Sequence, residues 1–134
     1  MSKTILACGF EDSRLMQLRR LCMMQRVFLR RVLPEEMTAP LGTLAGGVSV
    51  PASEEKGGEA EQAPVGEMMV LCGFSPRERD LLLASLRRSP LKSVALKAVL
   101  TPTNALWSAG RLMRELKSEH EALSGQRGAS AHRQ

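Results

Sequence analysis

The sequence predicts an α/β protein built from two tandem β-α-β units that share one four-stranded sheet, with a helix added at the C-terminus. Three observations carry this. Ile5-Leu6-Ala7-Cys8-Gly9-Phe10 returns as Met69-Val70-Leu71-Cys72-Gly73-Phe74, at an offset of 64. A second apolar run, Val27 to Leu33, returns as Val94 to Leu100 at an offset of 67. Between the two runs of each copy lies a stretch with helical apolar spacing. Self-similarity in this order marks a duplicated supersecondary unit.

The first strand of each copy is a short apolar run closed by Gly, as buried strands are. The helix of the first copy has Leu15, Leu18, Leu21 and Cys22 on one stripe, with Asp12 or Ser13 as its expected cap. The helix of the second copy carries a stronger start signal. Ser75 suits the N-cap, Pro76 the first helical position, and Glu78 the capping-box position. Leu82, Leu83 and Leu86 give its apolar face, and Ser89-Pro90 ends it. The second strands mix basic residues with Val and Leu, which suits strands with one solvated side. Gly42 and Leu44 match Gly110 and Leu112 at an offset of 68. A last helix is expected after Ser108, with Leu112, Met113, Leu116, His120 and Leu123 at helical spacing.

Domain boundaries follow from composition. Residues 1–47 form the first unit, and 67–123 form the second unit with its C-terminal helix. Residues 48–66 read as an acidic Gly/Pro/Glu-rich linker, expected to be disordered over much of its length. Residues 124–134 read as a disordered polar tail. For the sheet, an all-parallel order with right-handed crossovers is favoured, and a ferredoxin-like antiparallel order is the alternative.

Composition bounds the function. A chain of 134 residues with 43% hydrophobic residues can bury a core. Three Phe, one Trp and no Tyr leave that core to aliphatic side chains and to eight Met. The net charge of +5 is uneven: residues 1–33 carry +5, 34–66 carry −5, and the two remaining quarters are basic. The three Cys form no C-x-x-C pair and are odd in number, which points to reduced thiols rather than a disulfide scaffold. No run approaches a membrane span, and the N-terminal apolar run is too short for a signal peptide, so a cytoplasmic protein is expected.

The run Val70-Leu71-Cys72-Gly73-Phe74, the run Leu96 to Asn104 with Trp107, and Glu115-Leu116-Lys117-Ser118-Glu119-His120 together resemble one bacterial family, the domain of unknown function 3783. The resemblance covers about residues 67–123. Pro40 to Gly46 is similar to the N-terminal region often joined to that domain. The resemblance implies a bacterial cytosolic protein and supplies no activity.

Four features are candidates for chemistry. Cys8 and Cys72 each end a strand ahead of a helix, where N-terminal amides lower a thiol pKa. Cys72, with Gly73 beside it, precedes the better-capped helix and is the candidate nucleophile. The competing reading makes each Cys a small buried hydrophobe, each Gly a turn and each Phe a core plug. Thr101, Thr103 and Asn104 follow a strand's carboxyl end, where open α/β sheets place ligands, and Trp107 would wall such a site. The competing reading is a turn whose side chains satisfy the backbone. Leu41 to Gly47 lacks the Lys of a phosphate loop and reads as a loop or short helix. Arg19, Arg20, Arg26, Arg30, Arg31, Arg87, Arg88, Lys92 and Lys97 could line up for nucleic acid, but few aromatics are present to stack on bases. The isolated His120 and His132 give no metal site, and no cofactor is expected.

No catalytic constellation emerges. The favoured expectation is a non-catalytic binding or interaction module, with homodimerisation as one form it could take. The alternatives are a thiol-dependent or small-ligand enzyme using Cys72 near Thr103 and Asn104, and weak nucleic-acid binding through the basic faces.

Overall fold

Each Cys-Gly-Phe run is a strand that ends in a left-handed glycine: Gly9 has φ 75° and Gly73 has φ 77°. Only glycine adopts this region without a Cβ penalty, so the shared Gly marks the same sharp exit from two strands. The computed structural model describes the backbone of residues 3–46 and 66–132, and side chains up to residue 122. All but Gly66 of the linker read over 48–66 lies outside the described residues.

In chain order the elements are β1 (Thr4–Cys8), α1 (Asp12–Gln25), β2 (Phe28–Val32), a 3-10 turn (Pro34–Glu36) and α2 (Leu41–Ala45). The second half has β3 (Met68–Cys72), α3 (Pro76–Arg87), a 3-10 turn (Pro90–Ser93), β4 (Leu96–Val99), a 3-10 turn (Asn104–Leu106) and α4 (Ala109–His132). The α4 backbone runs on past residue 123, the boundary read from the sequence.

The sheet order is β2-β1-β3-β4. Within each unit the strands are parallel, β1 with β2 and β3 with β4. The two units join antiparallel through β1 and β3, with Leu6 opposite Val70. The α/β class and the four-stranded sheet stand. The favoured all-parallel order holds inside the units and fails at their junction, and the strand order is not the ferredoxin-like one. The antiparallel register sets Leu6 opposite Val70, its match at the offset of 64, so a local twofold axis passes between the two central strands.

Strand side chains alternate between two cores. Ile5, Ala7, Met69 and Leu71 face α1 and α3, and pack with Leu15, Leu18, Cys22, Leu82 and Leu86. Leu6, Cys8, Met68, Val70 and Cys72 face α2 and α4, and pack with Leu41, Leu44, Leu112 and Met113. The protein is thus three layers, helix on sheet on helix. Burying both faces requires central strands apolar at every position, which is how Met68–Cys72 reads. Each fully buried Leu, Ile or Met contributes roughly 1.5–3 kcal/mol.

The helix starts follow local chemistry. Ser75 Oγ accepts from Glu78 N–H at 3.2 Å, and Ser75 N–H donates to Glu78 Oε1 at 2.9 Å, closing the capping box. Ser108 Oγ accepts from Arg111 N–H at 3.1 Å. For α1 the expected cap is wrong by a residue. Glu11 occupies the N-cap without a side-chain bond, and Asp12 is the first helical residue. Glu36 is a buried carboxylate at the turn after β2. It accepts from Arg30 Nη2 at 2.8 Å and from Leu33 N–H at 3.0 Å, while Arg30 Nη1 donates to Leu44 O at 2.9 Å. Arg30, one of the candidate basic stripe, therefore ties β2 to α2.

Candidate functional site

Thr101 to Trp107 follows β4, and its polar groups turn inward on one another. Asn104 is buried. Its Oδ1 accepts from Thr101 N–H at 2.8 Å, and its Nδ2 donates to Val99 O at 3.0 Å. Thr101 Oγ1 accepts from Asn104 N–H at 3.1 Å. The reciprocal pair closes the turn and uses both ends of the Asn amide. Thr103 is exposed. Trp107 is half-buried against the α2/α4 core, with the Arg111 guanidinium 4.1 Å from its ring centroid, a cation–π contact. Asn104→Leu, which keeps the volume but strands Thr101 N–H and Val99 O, should destabilise the fold by about 2–3 kcal/mol. Thr103→Ala should stay within about 0.5 kcal/mol of wild type. Urea denaturation of both variants checks the contrast.

The same segment forms the second part of the junction between the units. Leu41 N–H donates to Trp107 O at 2.9 Å, and Ala109 N–H donates to Ala39 O at 3.3 Å. Leu41 and Ala109 are equivalent at the offset of 68, as are Ala39 and Trp107, so the two bonds are symmetry mates. Between them Pro40 bridges Ser108, its own equivalent. The matched glycines now have a reason. A Cβ on Gly42 would stand 3.3 Å from Ala105 O, and one on Gly110 would stand 3.4 Å from Met37 O. Each lets its helix approach the other unit's loop.

Cys72 lies at the same sheet end as Thr101, since Leu100 N–H donates to Leu71 O. Its side chain, however, points into the α2/α4 core, on the opposite face from α3 whose N-terminus was expected to activate it. Burial pushes the Cys72 thiol up to about 12. Cys8 is likewise pushed up to about 12, by burial first and by the nearby Glu36 charge second. The thiolate is therefore suppressed at neutral pH, contrary to the helix-activation argument. The antiparallel junction also sets Cys8 and Cys72 at opposite ends of the sheet, Cys8 beside Met68 and Cys72 beside Thr4. Gly73 serves the turn. Thr101, Asn104 and Trp107 are brought together as a structural corner, and Thr103 faces solvent.

The surface that sequence reasoning missed lies on the α1/α3 layer. Met16, Met23 and Met24 are 58%, 73% and 85% exposed on α1, and Leu81 is exposed on α3. Where the C-terminal halves of these helices meet, a cavity of about 310 Å³ is lined by Arg20, Leu21, Met24, Gln25, Ser85 and Arg88. Gln25 Nε2 donates to Ser85 Oγ across it. Residues 13–34 and 81–114 contain no Asp or Glu at all. Arg19, Arg20, Arg87 and Arg88 are exposed and form no ion pair among the described residues. Arg30, Arg31 and Lys97 of the candidate basic stripe are engaged elsewhere, with Glu36, Asp12 and Val94 O. The available signal was the pair of carboxylate-free stretches, but only the fold shows that α1 and α3 share a layer.

Among the described residues no group of His, Cys, Asp and Glu could hold a metal ion, and no helix is long and apolar enough to cross a membrane. Neither the curated proteins nor the solved structures include a match to the chain. The family model described as domain of unknown function DUF3783 matches residues 67–123, from the residue before β3 into α4.

Proposed function

We propose that this protein is a non-catalytic interaction module of the bacterial cytoplasm that binds an acidic, amphipathic peptide segment across its α1/α3 face. The observation that carries the reading is the placing of exposed Met24 with Arg20 and Arg88 at the 310 Å³ cavity, on helices that also expose Met16, Met23, Arg19 and Arg87. Thioether side chains adapt to varied apolar partners, and the carboxylate-free surroundings supply a uniform positive field. A partner with Glu or Asp flanking Leu-like anchors meets both needs. The alternatives fit less well. Nucleic acid would leave Met16, Met23 and Met24 without stacking partners, and no aromatic ring sits among these arginines.

The test uses the full chain and a short fluorescent peptide with Leu at helical spacing and Glu on the remaining face. Anionic phospholipid vesicles and single-stranded RNA serve as competing probes. The peptide should bind most tightly, and more weakly as salt rises. R20E/R88E should weaken it by at least about tenfold, while R77E/R79E at the far end of α3 leaves it nearly unchanged. Binding that R20E/R88E leaves intact, or tighter binding to vesicles or RNA, overturns the reading.

A further inference from the structure

Two ion pairs cross the junction between the units, and they are symmetry mates with their charges reversed. Lys3 and Glu67 each stand one residue before the first strand of their unit. Arg14 and Glu78 are each the third residue of the following helix. Both equivalences fall at the offset of 64. In the fold, Lys3 Nζ lies 3.2 Å from Glu78 Oε2, and Arg14 Nε lies 2.7 Å from Glu67 Oε2. The second pair is bidentate, with Arg14 Nη2 donating to Glu67 Oε1 at 2.8 Å and to Ser93 Oγ at 3.0 Å. The position before the strand in one unit thus meets the third helical position in the other. The first unit is positive at both positions, and the second is negative at both.

We propose that this charge reversal is a pairing code: the β3 edge of the DUF3783 unit accepts a β-α-β unit with basic residues at these two positions and rejects a second copy of itself. The backbone register alone does not discriminate, because the β1–β3 pairing is symmetric about Leu6 and Val70. Two DUF3783 units paired the same way would set Glu67 against Glu78 twice. Two first units would set Lys3 against Arg14 twice. Only the mixed pair is attractive at both places. Like charges placed against wrong partners are a common device for specificity. The occupant of the edge in this protein is its own first unit.

R14E/E67K keeps both mixed pairs attractive: Lys3 still faces Glu78, and the charges exchanged between positions 14 and 67 still oppose each other. It also makes both self-pairings attractive, because the position before the strand and the third helical position of each unit then differ in sign. K3E/E78K does the same through the other two positions. Wild type and both variants are denatured as full chains, refolded at high concentration, and separated by size exclusion. Each variant should give roughly tenfold more self-paired dimer than wild type, reflecting two pairs at each self-junction that turn from repulsive to attractive. R14E and E67K alone should each melt below wild type, and R14E/E67K should recover most of the loss. Dimer fractions equal to wild type in a variant that refolds overturn the code. If neither double variant refolds with a melting transition near wild type, the pairs are fold contacts only, and the proposal also fails.

Discussion

Gly9→Ala should lower the unfolding free energy by about 3 kcal/mol or more. Two costs add. A φ of 75° is the left-handed region, where a Cβ costs roughly 1–2 kcal/mol. The new Cβ would also stand 1.9 Å from Gly66 O and 2.8 Å from Gly66 C. Both neighbours are backbone at the entry to β3, so β1's exit turn must shift against the strand beside it. Forced displacement of this kind costs a further 1–3 kcal/mol or so. A melting temperature about 10 °C lower is expected for a chain of this size. Gly46→Ala is the control. Gly46 ends α2 with φ −76°, and its Cβ would meet nothing nearer than 3.5 Å. It should stay within about 0.5 kcal/mol of wild type. Equal losses in the two variants would mean that Gly9 is not held against Gly66.

The second large effect is alkaline instability. Burial raises all three thiols: Cys8 and Cys72 to about 12, and Cys22 to about 11. The folded state therefore keeps protons that the unfolded state gives up from about pH 9. Stability contributed by the neutral thiols is complete below that pH and is lost as pH rises toward about 11–12. Each thiol contributes roughly 1 kcal/mol per pH unit in that window, so the three together steepen the decline to about 3 kcal/mol per unit. Urea midpoints between about pH 8 and 11 measure it. C8A/C22A/C72A starts less stable because of its cavities but should show a much flatter slope. A slope unchanged in that variant would assign the decline to other groups. The same burial predicts that native Cys72 is alkylated far more slowly than a free thiol near pH 8, and that urea removes the protection.

Much of this architecture is written in the sequence, and the losses have identifiable causes. The capping box at Ser75 and Glu78, the Ser108 cap and the apolar strands are local signals, and each is present in the fold. Arg26 ends α1 in the left-handed region with φ 57° and no glycine, so nothing in the composition marked that boundary. The antiparallel junction is a relation between residues 64 apart, and no local propensity encodes it. The structure removes the helix-activation argument for Cys72 for one reason. A strand residue before a helix can point to either face, and Cys72 points away from α3. The Thr101–Asn104 turn satisfied its own amide and hydroxyl, as turn chemistry allows. Composition alone offers every methionine to the core, whereas the structure divides the set. Met37, Met68, Met69 and Met113 are buried, and Met16, Met23 and Met24 are exposed.

That division supplies the most direct test of the binding face. Methionine methyl groups labelled with carbon-13 report both surfaces in one NMR spectrum of the full chain, with single Met→Leu variants assigning each signal. On titration with the Glu/Leu peptide, the methyl of Met24, which lines the cavity, should shift and broaden first, with those of Met23 and Met16 on the same helix following. Those of Met68, Met69 and Met113 should stay in place. Shifts confined to the buried methionines, or none at saturating peptide, would contradict an interaction module that works through α1 and α3.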